Sequence, residues 1–420
     1  MLFTKSHLTK EQVGSWELFL FVAGLLSFFW VTGIIQSLLP LYHRNKTYRK
    51  LGENVSKKSP EIFNTFILLL VFSMLMFILL FSVRGVVDLP GFRDYPSFVN
   101  LLLLYILLSN PVCLIEYIYL LNNRPHRIFQ YGIYTFSLQL VLVLVPLFLQ
   151  KDLVWSVYGL LAVTGVRWVW LIILLRRYAE WRISDTFIKE HLYLGTPLIL
   201  TSLISGSGQY IDGVIVTAAF NDPAVFAVFR YGAKEFPLVV MLAQGLSNAM
   251  LPEFSTRKQM AESLSRIRER SRKLMHTIFP VAIFMIFIAR WLFPKMFTIE
   301  YKRSADIFIV YLLLAIPRVV FPHTIIIGRK RTRVTMIAAI AEQVVNIPLS
   351  LFLLQYYGVV GVALSTFIVY TLGQGSLMAY LYFKMRVKPS QYIPLIPLAI
   401  YSAIMITVFL LVDRRVIDLR

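Results

Sequence analysis

The residues of this sequence that could do chemistry are the charged ones set inside long apolar stretches. A charge in hydrocarbon is costly and persists there only against a cavity, water or an opposite charge. Arg318 lies deep in the apolar run 305–327 beside Pro317, whose missing N–H loosens a helix at that point. It reads as a cavity-facing arginine, with a structural ion pair as the alternative. Lys234 and Glu235 interrupt the run 224–253, and Arg230 precedes Lys234 by one helical turn, a spacing that puts both cations on one face of a continuous helix. Such a face would hold an anionic group through charge-assisted hydrogen bonds. Alternatively Lys234 pairs with Glu235 or Asp212 and only ties helices together. Arg167, flanked by Trp168 and Trp170, is either a cavity residue or an interface anchor. Glu235, Glu342 and Glu116 are the carboxylates placed to titrate in ion coupling, with a salt bridge as their other role.

The elements that must position these side chains are membrane helices. Of 420 residues, 58% are hydrophobic and 15% charged, which excludes an ordinary soluble domain. Mean hydropathy is +0.69. With 32 Phe, 22 Tyr and 7 Trp the chain has too many bulky apolar side chains to be disordered. The apolar runs are long and do not alternate, so they predict helices rather than a β-barrel. They fall at 16–42, 62–83, 99–121, 131–149, 153–175, 192–220, 224–253, 276–297, 305–327, 335–354, 358–383 and 392–412, which makes twelve candidate spans. A single cysteine, Cys113, excludes disulfides within the chain, Cys-based metal sites and Cys-x-x-Cys redox chemistry.

A net charge of +20 would suggest nucleic acid in a soluble protein, but here the basic residues gather in short connections between apolar runs. Counted over alternate connections, Lys and Arg divide 26 to 10, and the positive-inside rule places the richer set, beginning with 43–61, in the cytoplasm. The richest connection, 254–275, carries Arg266, Arg268, Arg270, Arg272 and Lys273 and reads as a solvated surface helix attracted to anionic lipid headgroups. No nucleic acid partner is needed to explain it. Both termini then face outward, which suggests that one helix is missing before residue 1. A shift of the chain on itself by 212 residues supports this. It lays Gly33, Gln36 and Leu39-Pro40 on Gly245, Asn248 and Leu251-Pro252, so the first and seventh runs look like counterparts in an internal repeat of the kind that builds secondary transporters.

No Gly-x-x-x-x-Gly-Lys-Ser/Thr occurs, so the chain is not by itself a P-loop pump. The histidines, His7, His43, His126, His191, His276 and His323, stand apart at the ends of runs, and neither a metal site nor a cofactor is expected. The connections are too short to house the carboxylates or histidines of a membrane glycosyltransferase or ligase, which argues against an enzyme.

Specific patterning begins near residue 192. The motifs Gly195-x-Pro197, Gln209-Tyr210-Ile211-Asp212, Tyr231-Gly232-Ala233, Pro237 and Leu246-Ser247-Asn248-Ala249-Met250-Leu251-Pro252 resemble the seventh and eighth helices of Wzx-type polysaccharide flippases. These belong to the multidrug/oligosaccharidyl-lipid/polysaccharide exporter superfamily. Asn346-x-Pro348 with Tyr357-Gly358-Val359-Val360-Gly361-Val362-Ala363 resembles that family's eleventh helix and its turn into the twelfth, and Glu11-Gln12-Val13-Gly14-Ser15-Trp16 the start of its second.

The resemblance implies an all-α polytopic membrane bundle of about twelve helices in two pseudo-symmetric lobes around a central cavity. The lobes would be 1–185, with about five helices because the family's first is missing, and 186–388, with six; 389–420 adds one more helix. It implies alternating access in the bacterial inner membrane, with an undecaprenyl-pyrophosphate-linked oligosaccharide as substrate, membrane lipids around it and a polysaccharide polymerase complex as a possible partner. Gln209 and Asp212 then join Arg318, Lys234, Arg230 and Arg167 as cavity candidates, the basic members offsetting the pyrophosphate charge. The rivals are a multidrug extruder or lipid II flippase of the same superfamily, and, from another class, a non-transporting membrane scaffold. A cation extruder should line its cavity with carboxylates, whereas these candidates lean basic.

Overall fold

Helices form where the apolar runs lie, and they break where glycine or proline removes a side-chain wall or a backbone hydrogen bond. The computed structural model describes residues 2–50, 58–84, 90–254 and 260–413, and every named element among them is helical. The α-helices are α1 Lys10–Lys50, α2 Pro60–Val83, α3 Ser97–Ser109, α4 Leu114–Leu121, α5 Pro125–Phe148, α6 Leu153–Tyr178, α7 Asp185–Gly206, α8 Gly208–Phe220 and α9 Pro223–Gly232. They continue with α10 Pro237–Met250, α11 Met260–Met296, α12 Lys302–Leu312, α13 Ala315–Arg318, α14 Pro322–Gly328, α15 Thr332–Tyr357, α16 Val359–Met385, α17 Pro389–Tyr392 and α18 Leu395–Asp413. Among the described residues nine helical spans are long and apolar enough to cross a membrane, or ten if Ile299–Arg318 and Pro322–Gly328, bent by 48°, form one.

Two of the twelve expected runs are therefore not among these spans. The run 192–220 divides between α7 and α8 at Gly206-Ser207-Gly208. The run 224–253 divides between α9 and α10 because Pro237 has no N–H and disfavours a helical Phe236, which is extended at φ −63°, ψ 115°. The basic stretch expected as a separate surface helix is instead, from Met260 onward, the first part of α11.

Contacts divide the chain into two compact units: Leu2–Tyr210 with Asp222–Ala224, and Ile211–Asn221 with Val225–Arg420. In the first unit α1 opens on a capping box, Thr9 N donating to Gln12 Oε1 at 3.0 Å and Gln12 N to Thr9 Oγ1 at 3.3 Å. Next, α7 lies along α1, at the close approach that Gly33 permits: a Cβ there would fall 2.6 Å from the Ile199 backbone nitrogen. His191 Nε2 meets Ile34 O at 2.8 Å in the same seam. These contacts group α7 with the first unit. Asn64 of α2 clamps the connection into α7, donating to Arg182 O and accepting from Ser184 N, both at 2.9 Å.

In the second unit α15 and α16 form an antiparallel pair. Gly358 makes their turn at φ +60°, in the left-handed region that favours glycine. At Gly361 a Cβ would fall 2.2 Å from Leu353 O, so α16 approaches the α15 backbone directly. The last helix, α18, packs on α11 through Phe279 and Tyr401, stacked at 5.1 Å.

Candidate functional site

The charged residue deepest in its run organises the second unit. Arg318 ends the short α13, just before the bend into α14, and its guanidinium binds Glu235 twice, Nε to Oε2 at 2.9 Å and NH2 to Oε1 at 2.5 Å. Glu235 reaches it because α9 and α10 are separated there, so the carboxylate comes from irregular chain between two helix ends. The guanidinium also lies 4.8 Å from the centroid of the Tyr370 ring. The Glu235 pair uses two of the five guanidinium N–H groups.

Arg318 stands on the wall of a cavity of about 440 Å³ within this unit. Gln244, Ser247 and Asn248 of α10, His323 and Thr324 of α14, Thr335 and Glu342 of α15 and Tyr370 and Gln374 of α16 complete its polar lining. Glu342 has its place because residue 373 is glycine: a Cβ there would sit 1.8 Å from Glu342 Oε1. Gln374 is buried, and its Oε1 has no hydrogen-bond partner among the described residues. Such an acceptor calls for a donor from water or a ligand. The wall thus presents a guanidinium with spare donors, a carboxylate, an open amide oxygen and small hydroxyls, a set suited to an anionic group bearing hydroxyls.

Of the sequence-derived candidates, Arg318 and Glu342 line this cavity, and Glu235 is tied to it through its pair with Arg318. The alternatives posed for Arg318 are both realised, since it is a cavity residue and a member of an ion pair. Lys234 does not pair with Glu235 or Asp212. It is exposed in the α9–α10 break with Nζ 5.1 Å from the Tyr231 ring centroid. The shared face of Arg230 and Lys234 is not formed, because the helix ends at Gly232, and Arg230 is half-buried in the last turn of α9.

Asp212 is not on the cavity wall but buried inside the second unit, where its carboxylate accepts from Tyr311 at 3.0 Å, Asn346 Nδ2 at 3.0 Å and Thr366 at 2.5 Å. Asn346 Oδ1 accepts in turn from Ser350 at 3.2 Å and Ser365 at 2.9 Å. The network joins α8, α12, α15 and α16. Gln209 is exposed at the start of α8 and belongs to the first unit. Arg167, also in the first unit, donates from NH2 to Gln139 Oε1 at 3.0 Å.

Sequence reasoning passed over Tyr370, Gln374 and His323 on the wall and Tyr311 and Thr366 around Asp212. The available signal was polar residues spaced by four within an apolar run, Thr366, Tyr370 and Gln374, which share one face of α16.

The helices and the broken spans define a multi-pass membrane protein. Its fold is that of a known transporter class. It is similar to a structure described as the lipid II flippase MurJ in an inward closed conformation, at 18% identity and TM-score 0.66 over 98% of this chain and 88% of that one. A multidrug resistance MATE family transporter of the MOP superfamily, inward-facing, gives 14% identity and TM-score 0.60 over 90% of each chain. A Vibrio cholerae MATE transporter gives 10% and 0.56 over 90% of this chain and 88% of that one. No curated protein sequence matches the chain significantly. The profile of the family described as "Polysaccharide biosynthesis protein" matches residues 8–306, and the chain belongs to that family.

Proposed function

We propose that this protein is a flippase, a transporter and not an enzyme, that moves a lipid-linked oligosaccharide precursor across the bacterial inner membrane for surface polysaccharide export. Membership of the polysaccharide biosynthesis family and the fold shared with MOP superfamily transporters support that class. Arg318 carries the finer reading. It places a fixed positive charge on a cavity wall inside the apolar bundle, with guanidinium donors left over from its Glu235 pair. An undecaprenyl-pyrophosphate group supplies the matching charge, and its oxygens compete with Glu235 for the guanidinium. Sugar hydroxyls donate to Gln374 Oε1 and exchange hydrogen bonds with Ser247, Asn248 and Thr324. Glu235, released as substrate arrives, and Glu342 are the carboxylates available for ion coupling during alternating access. The lobes 1–185 and 186–388, the added helix 389–420 and contact with a polymerase complex belong to the same proposal.

The test is made in cells. Arg318→Ala should abolish surface polysaccharide while protein remains in the membrane, and Arg318→Lys, which keeps charge but loses the planar fork, should retain part of the export. Wild-type export from Arg318→Ala would remove the residue from the site. Loss of the protein together with export would make the pair structural.

A further inference from the structure

The five basic residues from Arg266 to Lys273 on α11 have unequal partners. Arg266 meets Glu253 at 2.9 Å and Glu262 at 3.4 Å, Arg270 reaches Glu253 at 3.8 Å, and Lys273 binds Glu269 at 2.9 Å. Arg268 and Arg272 are exposed and have no ion pair among the described residues. They stand one helical turn apart and line a cavity of about 690 Å³ whose other wall is Pro394, Leu395, Ile396 and Pro397 at the start of α18. Glu269 lies on the same wall, but Lys273 offsets its charge, so the pocket is net positive.

Depth decides what can enter. α11 has 37 residues. At 1.5 Å per residue that is about 55 Å, against a hydrocarbon core of about 30 Å. Its uncharged stretch begins at Leu274, so both arginines lie within the two turns before the hydrocarbon, at headgroup level. On α18, Ile396, Ile400 and Ile404 are 75%, 54% and 43% exposed and recur one turn apart, an apolar stripe that starts at the arginine pocket and runs into the membrane.

We propose that this pocket is a binding site for an anionic phospholipid. Arg268 and Arg272 hold its phosphodiester, and an acyl chain lies along Ile396, Ile400 and Ile404. Two guanidinium forks match phosphate oxygens, and the positive pocket selects an anionic over a zwitterionic headgroup. Charge and apolar stripe together fit one molecule with both features, and that lipid bridges α11 to the last helix.

The probes are phosphatidylglycerol, phosphatidylcholine and inorganic phosphate, each titrated into the purified full-length protein in detergent while thermal unfolding is followed. Phosphatidylglycerol should raise the unfolding temperature of the wild type more than phosphatidylcholine does. The Arg268→Gln/Arg272→Gln double variant should require about tenfold more phosphatidylglycerol, or lose the response. Arg268→Lys/Arg272→Lys, which keeps the charge, should retain most of the response, and Arg266→Gln all of it. The single Arg272→Gln variant gives the same reading at half dose should the double variant fold poorly. An unchanged response in the Gln variants, or equal stabilisation by phosphatidylcholine, would overturn the proposal. Inorganic phosphate alone reproducing the effect would also overturn it, assigning the pocket to a free anion.

Discussion

Replacing Glu235 by Ala strands the Arg318 guanidinium on the cavity wall. Contacts of 2.9 and 2.5 Å set the two charges about 4 Å apart, where attraction is about 4 kcal/mol at an effective dielectric of 20. The side chains are 23% and 30% exposed, so solvent screens part of this and desolvation offsets much of the rest. The net contribution of the intact pair is then about 1 to 2 kcal/mol. Leaving one charge alone costs more, about 2 to 3 kcal/mol after discounting for exposure. Glu235→Ala and Arg318→Ala should therefore each lower stability by at least as much as the double variant does, with a coupling of about 3 kcal/mol. Thermal unfolding of the four proteins in one detergent measures the cycle. Additive single losses would refute the coupling and the competition between Glu235 and substrate built on it. A functional consequence follows. Glu235→Gln frees Arg318 from its internal partner and should tighten binding of a pyrophosphate-bearing lipid, not weaken it.

Gly373→Ala should leave protein abundance near normal, because the clash falls on the movable end of Glu342, yet reduce export by displacing that carboxylate from the wall. Gly361→Ala meets the Leu353 backbone instead and should cost about 3 kcal/mol, read as lost abundance on an immunoblot. Asp212→Asn turns an amide donor toward side chains that already donate, so it should lower stability by about 1 to 3 kcal/mol in thermal unfolding. Topology follows from the 26 to 10 division of basic residues: a cysteine at Arg268 should label from the cytoplasm and one at Asn221 from outside, and the reverse would overturn the order of spans.

Fold class was legible because bilayer thickness imposes a length and apolarity that few other structures share, and ten of the twelve runs coincide with a helical span or the bent pair. The other two runs divide at Gly206-Ser207-Gly208 and Pro237, residues whose types were visible but whose effect depends on packing. That break misled the reading of Arg230 and Lys234, since a shared face exists only on a continuous helix. Arg318 was legible from its depth and its neighbour Pro317. Its partner was not, because 83 residues separate it from Glu235 and only the folded chain brings them together. Asp212 was found but misplaced: depth alone does not tell a cavity wall from a buried hydrogen-bond network. The face of Thr366, Tyr370 and Gln374 was readable and was overlooked.

The central claim is tested most directly in liposomes containing the purified protein and a fluorescent polyprenyl-pyrophosphate-linked saccharide, with a membrane-impermeant quencher added outside. If the protein moves this lipid between leaflets, wild type should render label in both leaflets quenchable, Arg318→Lys should do so more slowly, and Arg318→Ala should leave the inner-leaflet label protected. Wild-type protein that leaves the inner leaflet protected while folded, under conditions where the lipid binds, would contradict the account.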